Sequence, residues 1–224
     1  MIVKTISFTQ DPVDIIYIAA KNCVSKQMTY NAYSIPYKEK KRLIEKVYNA
    51  GHHSVLEHVI FTFGISGISR ACSHQLVRHR LASYAQQSQR YAKMDQADFI
   101  IPQSIQDHKL YSIKYGHVLK RISDFYLELL EAGIPNEDAR FILPNACQTN
   151  IVMTMNLREL IETSKVRLCG KAQWEIQELF GLIRTEVLKK ESFLGTFLKS
   201  KCKYLGYCPE EVSCGRMPVK KDVA

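Results

Sequence analysis

The segment Arg78-His79-Arg80-Leu81-Ala82-Ser83-Tyr84-Ala85-Gln86-Gln87-Ser88-Gln89-Arg90-Tyr91 sets three arginines, a histidine, two serines and three glutamines into fourteen consecutive residues. Its arginines stand singly among amide and hydroxyl side chains. A guanidinium presents a planar fork of donors that matches phosphate oxygens. Hydroxyls, amides and backbone N–H groups in a turn complete a cradle around such a group. The segment therefore reads as a surface for a phosphorylated, hydrogen-bonding ligand of nucleotide type. A merely solvated basic loop would be a plain lysine-rich surface, and this stretch contains no lysine.

Working outward, His58 to Ser66 alternates, with Phe61, Phe63 and Ile65 on one face and Thr62, Gly64 and Ser66 on the other, the pattern of a half-buried strand. Ser69 suits the N-cap of a helix running to Arg78. Upstream, residues 11–26 and 36–50 have helical spacing, and Gly51 suits the end of the second helix. Downstream, the pattern predicts a long helix over 104–132 that stops at Gly133, and a short one after Pro135. A second alternating strand covers Thr149 to Met155. Asn156 with Glu159 three residues on reads as a cap opening a helix toward Val166, and a last long helix runs over 171–190. The lysine-rich end from Lys199, with Pro209 and Pro218, reads as an irregular tail. Few strands between long helices give an α+β class.

The 224 residues suffice for one sizeable domain, with 46% hydrophobic and 24% charged residues. The net charge of +9, from 31 basic and 22 acidic residues, suits an anionic partner, either a polynucleotide or small phosphorylated ligands. The longest apolar stretch, Val59 to Ile68, is broken by Thr62, Gly64, Ser66 and Gly67, far from the roughly 20 apolar residues of a membrane span. The N-terminus lacks the apolar block of a secretory signal, so a cytoplasmic protein without a membrane partner is expected. An odd set of cysteines (23, 72, 147, 169, 202, 208 and 214) argues for reduced thiols. Cys202, Cys208 and Cys214 lack a tight cysteine pair and no histidine follows His117, so no metal is expected. Neither a G-x-G-x-x-G nor a P-loop pattern is present.

Arg78-His79-Arg80 followed after seven residues by Ser88 resembles the signature of flavin-dependent thymidylate synthases. Four further blocks are similar in order: Gly51-His52-His53-Ser54-Val55-Leu56-Glu57-His58, Ala139-Arg140-Phe141-Ile142-Leu143-Pro144, Asn156-Leu157-Arg158, and Arg167-Leu168-Cys169-Gly170-Lys171-Ala172-Gln173-Trp174-Glu175-Ile176. The resemblance covers roughly 12–215. It implies a single domain over 1–215 with a central, mostly antiparallel sheet flanked by long helices, a basic tail at 216–224, and assembly as a homotetramer with shared sites. It further implies reductive methylation of dUMP to dTMP, with 5,10-methylenetetrahydrofolate as carbon donor, FAD as hydride carrier and NADPH as reductant. Gln75, Arg78, Gln86, Gln87, Ser88, Gln89, Arg90 and Arg140 would hold dUMP. Ser54, Glu57, Arg78, His79, Arg80, Gln86, Asn156, Arg158 and Glu162 would bind FAD, and His52 would stand on the folate or nicotinamide side.

Arg167 would lie against the uracil ring as the catalytic residue. Methylation at C5 needs electron density there, and a fixed cation beside the ring oxygens stabilises the charge that develops. A cysteine nucleophile, used by flavin-independent thymidylate synthases, is then unnecessary. Cys147 and Cys169 read as small packing residues, and Trp174 as core packing or a subunit contact. The sequence departs from the family pattern at Glu162, where Asn or His is common near the flavin, at Ala85, where Asn or Ser is usual, and at Cys23, where an arginine-containing variant is common. The alternatives are a paralogue that binds flavin and nucleotide without turnover, and a basic nucleic-acid-binding protein. The arginines sit singly in polar motifs, so no stable nucleic-acid partner is expected.

Overall fold

The computed structural model describes residues 1–94 and 98–220. A four-stranded sheet of order β1-β2-β4-β3 contains β1 (Ile2–Phe8), β2 (Ile60–Ser69), β3 (Ala82–Gln86) and β4 (Gln148–Asn156). The helices are α1 (Pro12–Asn22), α2 (Tyr37–Asn49), α3 (Arg70–Leu76), α4 (Gln103–Gln106), α5 (Lys109–Glu131), α6 (Asn136–Ala139), α7 (Leu157–Arg167), α8 (Trp174–Lys190), α9 (Ser192–Gly195) and α10 (Lys201–Leu205). Strands β2 and β4 run antiparallel. Leu157 N donates to Val59 O at 2.7 Å, the Thr62 and Thr154 hydroxyls meet at 3.0 Å, and Arg70 N donates to Cys147 O at 3.0 Å. The α+β class with an antiparallel sheet is as the sequence implied. Among the described residues no helix is long and apolar enough to cross a membrane.

The chain folds as two compact units, one comprising Met1–Ile2, Ile65–Arg78 and Ala85–Val152, the other Val3–Gly64, His79–Tyr84 and Met153–Ala224. In the first, Met94, Tyr126, Ala139 and Cys147 form a buried cluster against Phe99, Leu127, Leu129, Leu130 and Leu143. The Tyr126 hydroxyl accepts from Met94 N at 3.2 Å, so burial of the phenol leaves its oxygen partnered. Ser69 caps α3 as its sequence suggests, its hydroxyl accepting from Cys72 N at 3.0 Å. The long helix expected over 104–132 is instead split into α4 and α5, with His108 extended between them. Asp107 and His108 are weak helix formers, and α4 closes on itself through Gln103 Nε2 to Asp107 Oδ1 at 2.8 Å and Gln106 Nε2 to Ile101 O at 2.7 Å. Gly133, with φ of +81°, ends α5.

In the second unit, Phe61 and Phe63 are buried and stacked at 5.9 Å, and Met153 and Met155 are buried on alternate positions of β4. Helix α8 buries Ile176, Leu179, Phe180, Ile183 and Val187. Helix α1 stops at Asn22, short of the expected 26, because the Asn22 amide takes both sides of Thr29: it donates to Thr29 O at 2.9 Å and accepts from Thr29 N at 2.7 Å. Helix α8 begins at Trp174, later than expected, because Gln173 Oε1 accepts from Glu175 N and Ile176 N, both at 3.1 Å. Trp174 is 43% exposed, which removes the reading of it as core.

The end from Lys199 is more ordered than its composition suggested: α10 forms, and a parallel bridge joins Cys208 to Val219. Residues 221–224 of the expected basic tail lie outside the described residues. β1 and β3 carried no sequence signal: β1 buries Val3 and leaves Ile2 and Ile6 exposed, so the two-residue alternation that marks a half-buried strand is missing.

Two glycines set a contrast that stability measurements can read. A Cβ on buried Gly195 would lie 2.6 Å from Leu188 side-chain atoms and 2.9 Å from its Cα, whereas one on Gly116 in α5 meets nothing within 4 Å. Gly195→Ala is expected to destabilise by about 1–3 kcal/mol through overpacking, and Gly116→Ala to stabilise by roughly 0.5–1 kcal/mol through helix propensity. Thermal denaturation of both variants would show opposite shifts in midpoint. A Gly195→Ala midpoint that does not fall contradicts the packing described at Gly195, and a Gly116→Ala midpoint that falls contradicts the open space described at Gly116.

Candidate functional site

The R-H-R triplet straddles the boundary between the two units, with Arg78 ending a stretch of the first and His79 opening a stretch of the second. In the first unit, β3 and the turn after it carry the polar run. Gln87 N donates to Asn150 O at 2.9 Å, which fixes the backbone where β3 ends. Gln86 Nε2 donates to the Ser73 hydroxyl at 2.8 Å and to the Thr149 hydroxyl at 3.2 Å, so the amide protons hold this segment to α3 and β4. Gln89 Nε2 points to Cys147 Sγ at 3.7 Å. Burial pushes the Cys147 thiol up, which suits packing and not nucleophilic attack.

Arg90 and Arg140 both bond to Glu137, which the sequence did not single out. Arg90 donates from Nε to Glu137 Oε2 at 2.9 Å and from Nη2 at 2.7 Å, while Arg140 Nε donates to Glu137 O at 3.1 Å. The Ser88 hydroxyl accepts from Arg90 N at 3.2 Å. Glu137 thus ties the Arg90 guanidinium to the segment that carries Arg140, while Ser88 is held to the backbone of Arg90. The Arg90–Glu137 pair is half exposed, so solvent screens it and it contributes little to stability. Gln75 and Arg78 lie on and just after α3, Gln75 half-buried and Arg78 exposed.

In the second unit the central feature is a hydrogen-bonded line through His79. Arg167 Nε donates to His79 Nε2 at 2.9 Å. Because an arginine only donates, Nε2 bears the lone pair and the imidazole proton sits on Nδ1. Nδ1 faces the Thr163 hydroxyl at 3.3 Å, which in turn donates to Glu159 Oε1 at 3.3 Å; Nδ1 lies 4.0 Å from that same oxygen. The Tyr84 hydroxyl closes the arrangement by donating to His79 O at 2.8 Å, and burial pushes its pKa up to about 12, so it keeps its proton. Burial first, and then the Arg167 charge, hold His79 below its ordinary value of 6.5, while burial raises Glu159.

Helix α7 makes this line possible. Asn156 Oδ1 accepts from Glu159 N at 2.9 Å and starts the helix where the sequence placed it. Glu159, Thr163 and Arg167 then fall four residues apart and share one face. Thr163 went unnoticed in the sequence, although that spacing was available as a signal. On the same helix Arg158 pairs with Glu57 at 2.5 Å, and Glu162 pairs with Lys165 at 2.6 Å. The departure at position 162 is therefore a carboxylate with its own counter-ion.

Ser54 and Glu57 lie on a 3₁₀ turn over His53–His58, with His52 exposed at its start. Ser54 borders a cavity of about 480 Å³ whose walls include Ile15, Ile18, Met28, Val55 and His58. A mostly apolar concavity with few polar groups at its edge suits a flat aromatic ring. Arg80 and Arg158 are both exposed, Arg158 beside Glu57. Of the residues the resemblance assigns to FAD, Ser54 alone lines this cavity, so the cavity by itself fits an apolar ring.

The family model described as thymidylate synthase complementing protein matches residues 4–191. The chain is 42% identical over 217 residues to the flavin-dependent thymidylate synthase of Pyrococcus horikoshii, covering 93% of this chain and 89% of that protein. It is 36% identical over 241 residues to the enzyme of the same name from Nitratidesulfovibrio vulgaris, covering 99% and 97%. The crystal structure of the Helicobacter pylori flavin-dependent thymidylate synthase in complex with FAD and dUMP superposes with a TM-score of 0.73 at 24% identity, over 89% of this chain and all of that one, and shares the fold.

The His79 line can be tested without any ligand. The imidazole is expected to titrate below 6.5 by NMR, with the Nδ1–H tautomer above that point, and to move upward in Arg167→Gln, where the neighbouring charge is gone. Because the unfolded chain takes up this proton first, the neutral histidine's contribution to stability is present above pH 6.5 and is lost as pH falls below it. An imidazole whose titration ignores the Arg167 substitution contradicts the contact.

Proposed function

The chain belongs to the flavin-dependent thymidylate synthase family, and from that premise we propose that it converts dUMP to dTMP, with 5,10-methylenetetrahydrofolate as carbon donor and NADPH as reductant. The observation that carries this reading is the contact of Arg167 with His79. It joins two motif blocks 88 residues apart and orients a guanidinium from a partly buried position. In this reading Arg167 lies against the uracil carbonyls and stabilises the negative charge that C5 acquires as it attacks the one-carbon unit. His79, neutral at Nε2, fixes the plane of that guanidinium. Thr163 and Glu159 keep the imidazole proton on Nδ1, so that Nε2 stays an acceptor.

Ser88, Arg90 and Arg140, with Gln89 beside them, hold the dUMP phosphate, and Gln75, Arg78 and Gln87 complete its polar surroundings. Gln86 acts by fixing the segment, since its amide protons are donated to Ser73 and Thr149. Ser54, Glu57, His79, Arg80, Asn156, Arg158 and Glu162 hold FAD, whose reduced ring supplies the hydride. His52 stands on the side where folate or nicotinamide approaches. We read residues 1–215 as one catalytic domain that assembles into a homotetramer. This is supported by Leu81, Tyr91 and Phe141, bulky apolar side chains next to Arg80, Arg90 and Arg140 that are each more than 70% exposed in the single chain. Light scattering at four times the 25.8 kDa chain mass would agree; a monomer would refute the assembly.

The purified protein is expected to show flavin absorption, and to form dTMP when given dUMP, methylenetetrahydrofolate and NADPH. Arg167→Ala should keep the flavin bands and lose roughly 10²–10³-fold in kcat, the range seen when one transition-state donor is removed. Near-normal turnover by that variant removes the role from Arg167. A colourless protein that takes up no FAD, and binds polynucleotide with a steep salt dependence, replaces the whole reading with nucleic-acid binding.

A further inference from the structure

A second concave surface in the second unit takes no part in the chemistry above. It is a cavity of about 400 Å³ lined by Arg184, Lys199, Lys203 and Arg216, with Ser200, Thr196, Cys202 and Cys214 between them. Four cations line it and, among the described residues, no carboxylate does. Among the described residues none of the four forms an ion pair; Lys199 instead lies over the Tyr204 ring at 4.4 Å. Arg184 and Lys199 are half-buried, and Ser200 is 6% exposed, so the wall is partly removed from water. Like charges gathered in a cleft with low-dielectric walls focus the field and repel one another. That arrangement costs stability until an anion neutralises it.

The cavity is also built, in the sense that its two sides are fastened together. Lys171 Nζ donates to Val212 O at 2.7 Å, and Gln177 Nε2 donates to Cys169 O at 2.6 Å. Between them Gly170 admits the C-terminal segment at close range: a Cβ there would lie 3.0 Å from Cys214 Sγ and 3.2 Å from Arg216 Cζ. The C-terminal segment thus packs on the turn that follows α7, and Leu168 and Gly170 of that turn line the cavity directly after Arg167.

We propose that this cavity is an anion site separate from the dUMP and FAD residues, and that it takes an extended oligoanion bearing two or more phosphate or carboxylate groups. Guanidinium and ammonium groups spread along 400 Å³ suit a chain of charges better than a single ion, since each cation can meet its own oxygen pair. A bound oligoanion would neutralise Arg184, Lys199, Lys203 and Arg216 together and tighten the turn behind Arg167.

The test is calorimetric titration of the full-length protein with inorganic tripolyphosphate and, separately, with free penta-γ-glutamate. Saturable binding of one equivalent per chain is expected for at least one probe. It should weaken about tenfold or more in Arg184→Gln/Lys203→Gln, the loss expected when two charge-assisted contacts go. Flavin uptake by that double variant should be unchanged, which separates this site from the FAD residues and shows that the chain is folded. Binding of tripolyphosphate alone assigns the site to a phosphate-bearing ligand, and binding of penta-γ-glutamate alone to a carboxylate-bearing one. If neither probe saturates, or the double variant binds both as the wild type does, the proposal is overturned.

Discussion

Strand β2 pairs on one side with β1 and on the other with β4, and each of its chain ends carries a device that fixes a neighbouring element. At its start, Val59 O takes the Leu157 N–H and so sets where β4 gives way to α7. At its end, the Ser69 hydroxyl caps α3. Between them Phe61, Phe63 and Ile65 are buried, and a one-residue slip would turn all three to the opposite face. The antiparallel register of β2 and β4 is therefore strongly specified. With it comes the starting point of α7, the helix that carries Arg158, Glu159, Glu162, Thr163 and Arg167.

From that starting point the chemistry of the second unit follows by helix geometry. Once Asn156 caps α7, the four-residue spacing brings Glu159, Thr163 and Arg167 to one face, and His79 meets all three. The histidine is held neutral by burial and by the cation it serves. A protonated imidazole there would set two cations together and take away the acceptor that orients Arg167. The fold thus uses a titratable residue as a fixed acceptor, and the carboxylate that keeps its proton in place lies one hydroxyl further out.

The same economy of local devices explains where sequence reading stopped. Helix caps at Ser69 and Asn156, the positive-φ glycines at the ends of α2 and α5, and the alternating strands were all legible, because each depends on residues within one turn or strand. β1 and β3 were not, since an edge strand that buries little carries no two-residue alternation. The break between α4 and α5 rests on side-chain bonds that compete with helix continuation, and such competition leaves only a weak mark in composition. Order beyond Lys199 depends on a bridge between Cys208 and Val219, whose spacing announces nothing.

The family was legible in the chain alone, because it resides in the order of motifs, and the same motifs supply the residues proposed for a nucleotide and a flavin site. Only the tertiary structure decided how these residues are used. It placed Glu137 between Arg90 and Arg140, turned Gln86 toward Ser73 and Thr149, seated Arg167 on His79, and gathered Arg184, Lys199, Lys203 and Arg216 around a single cavity. Each of these depends on which atoms come within about 3 Å after folding, where hydrogen bonds form and charges act strongly in low dielectric. A linear chain carries the donors and acceptors; their partners exist only once packing has brought distant segments together.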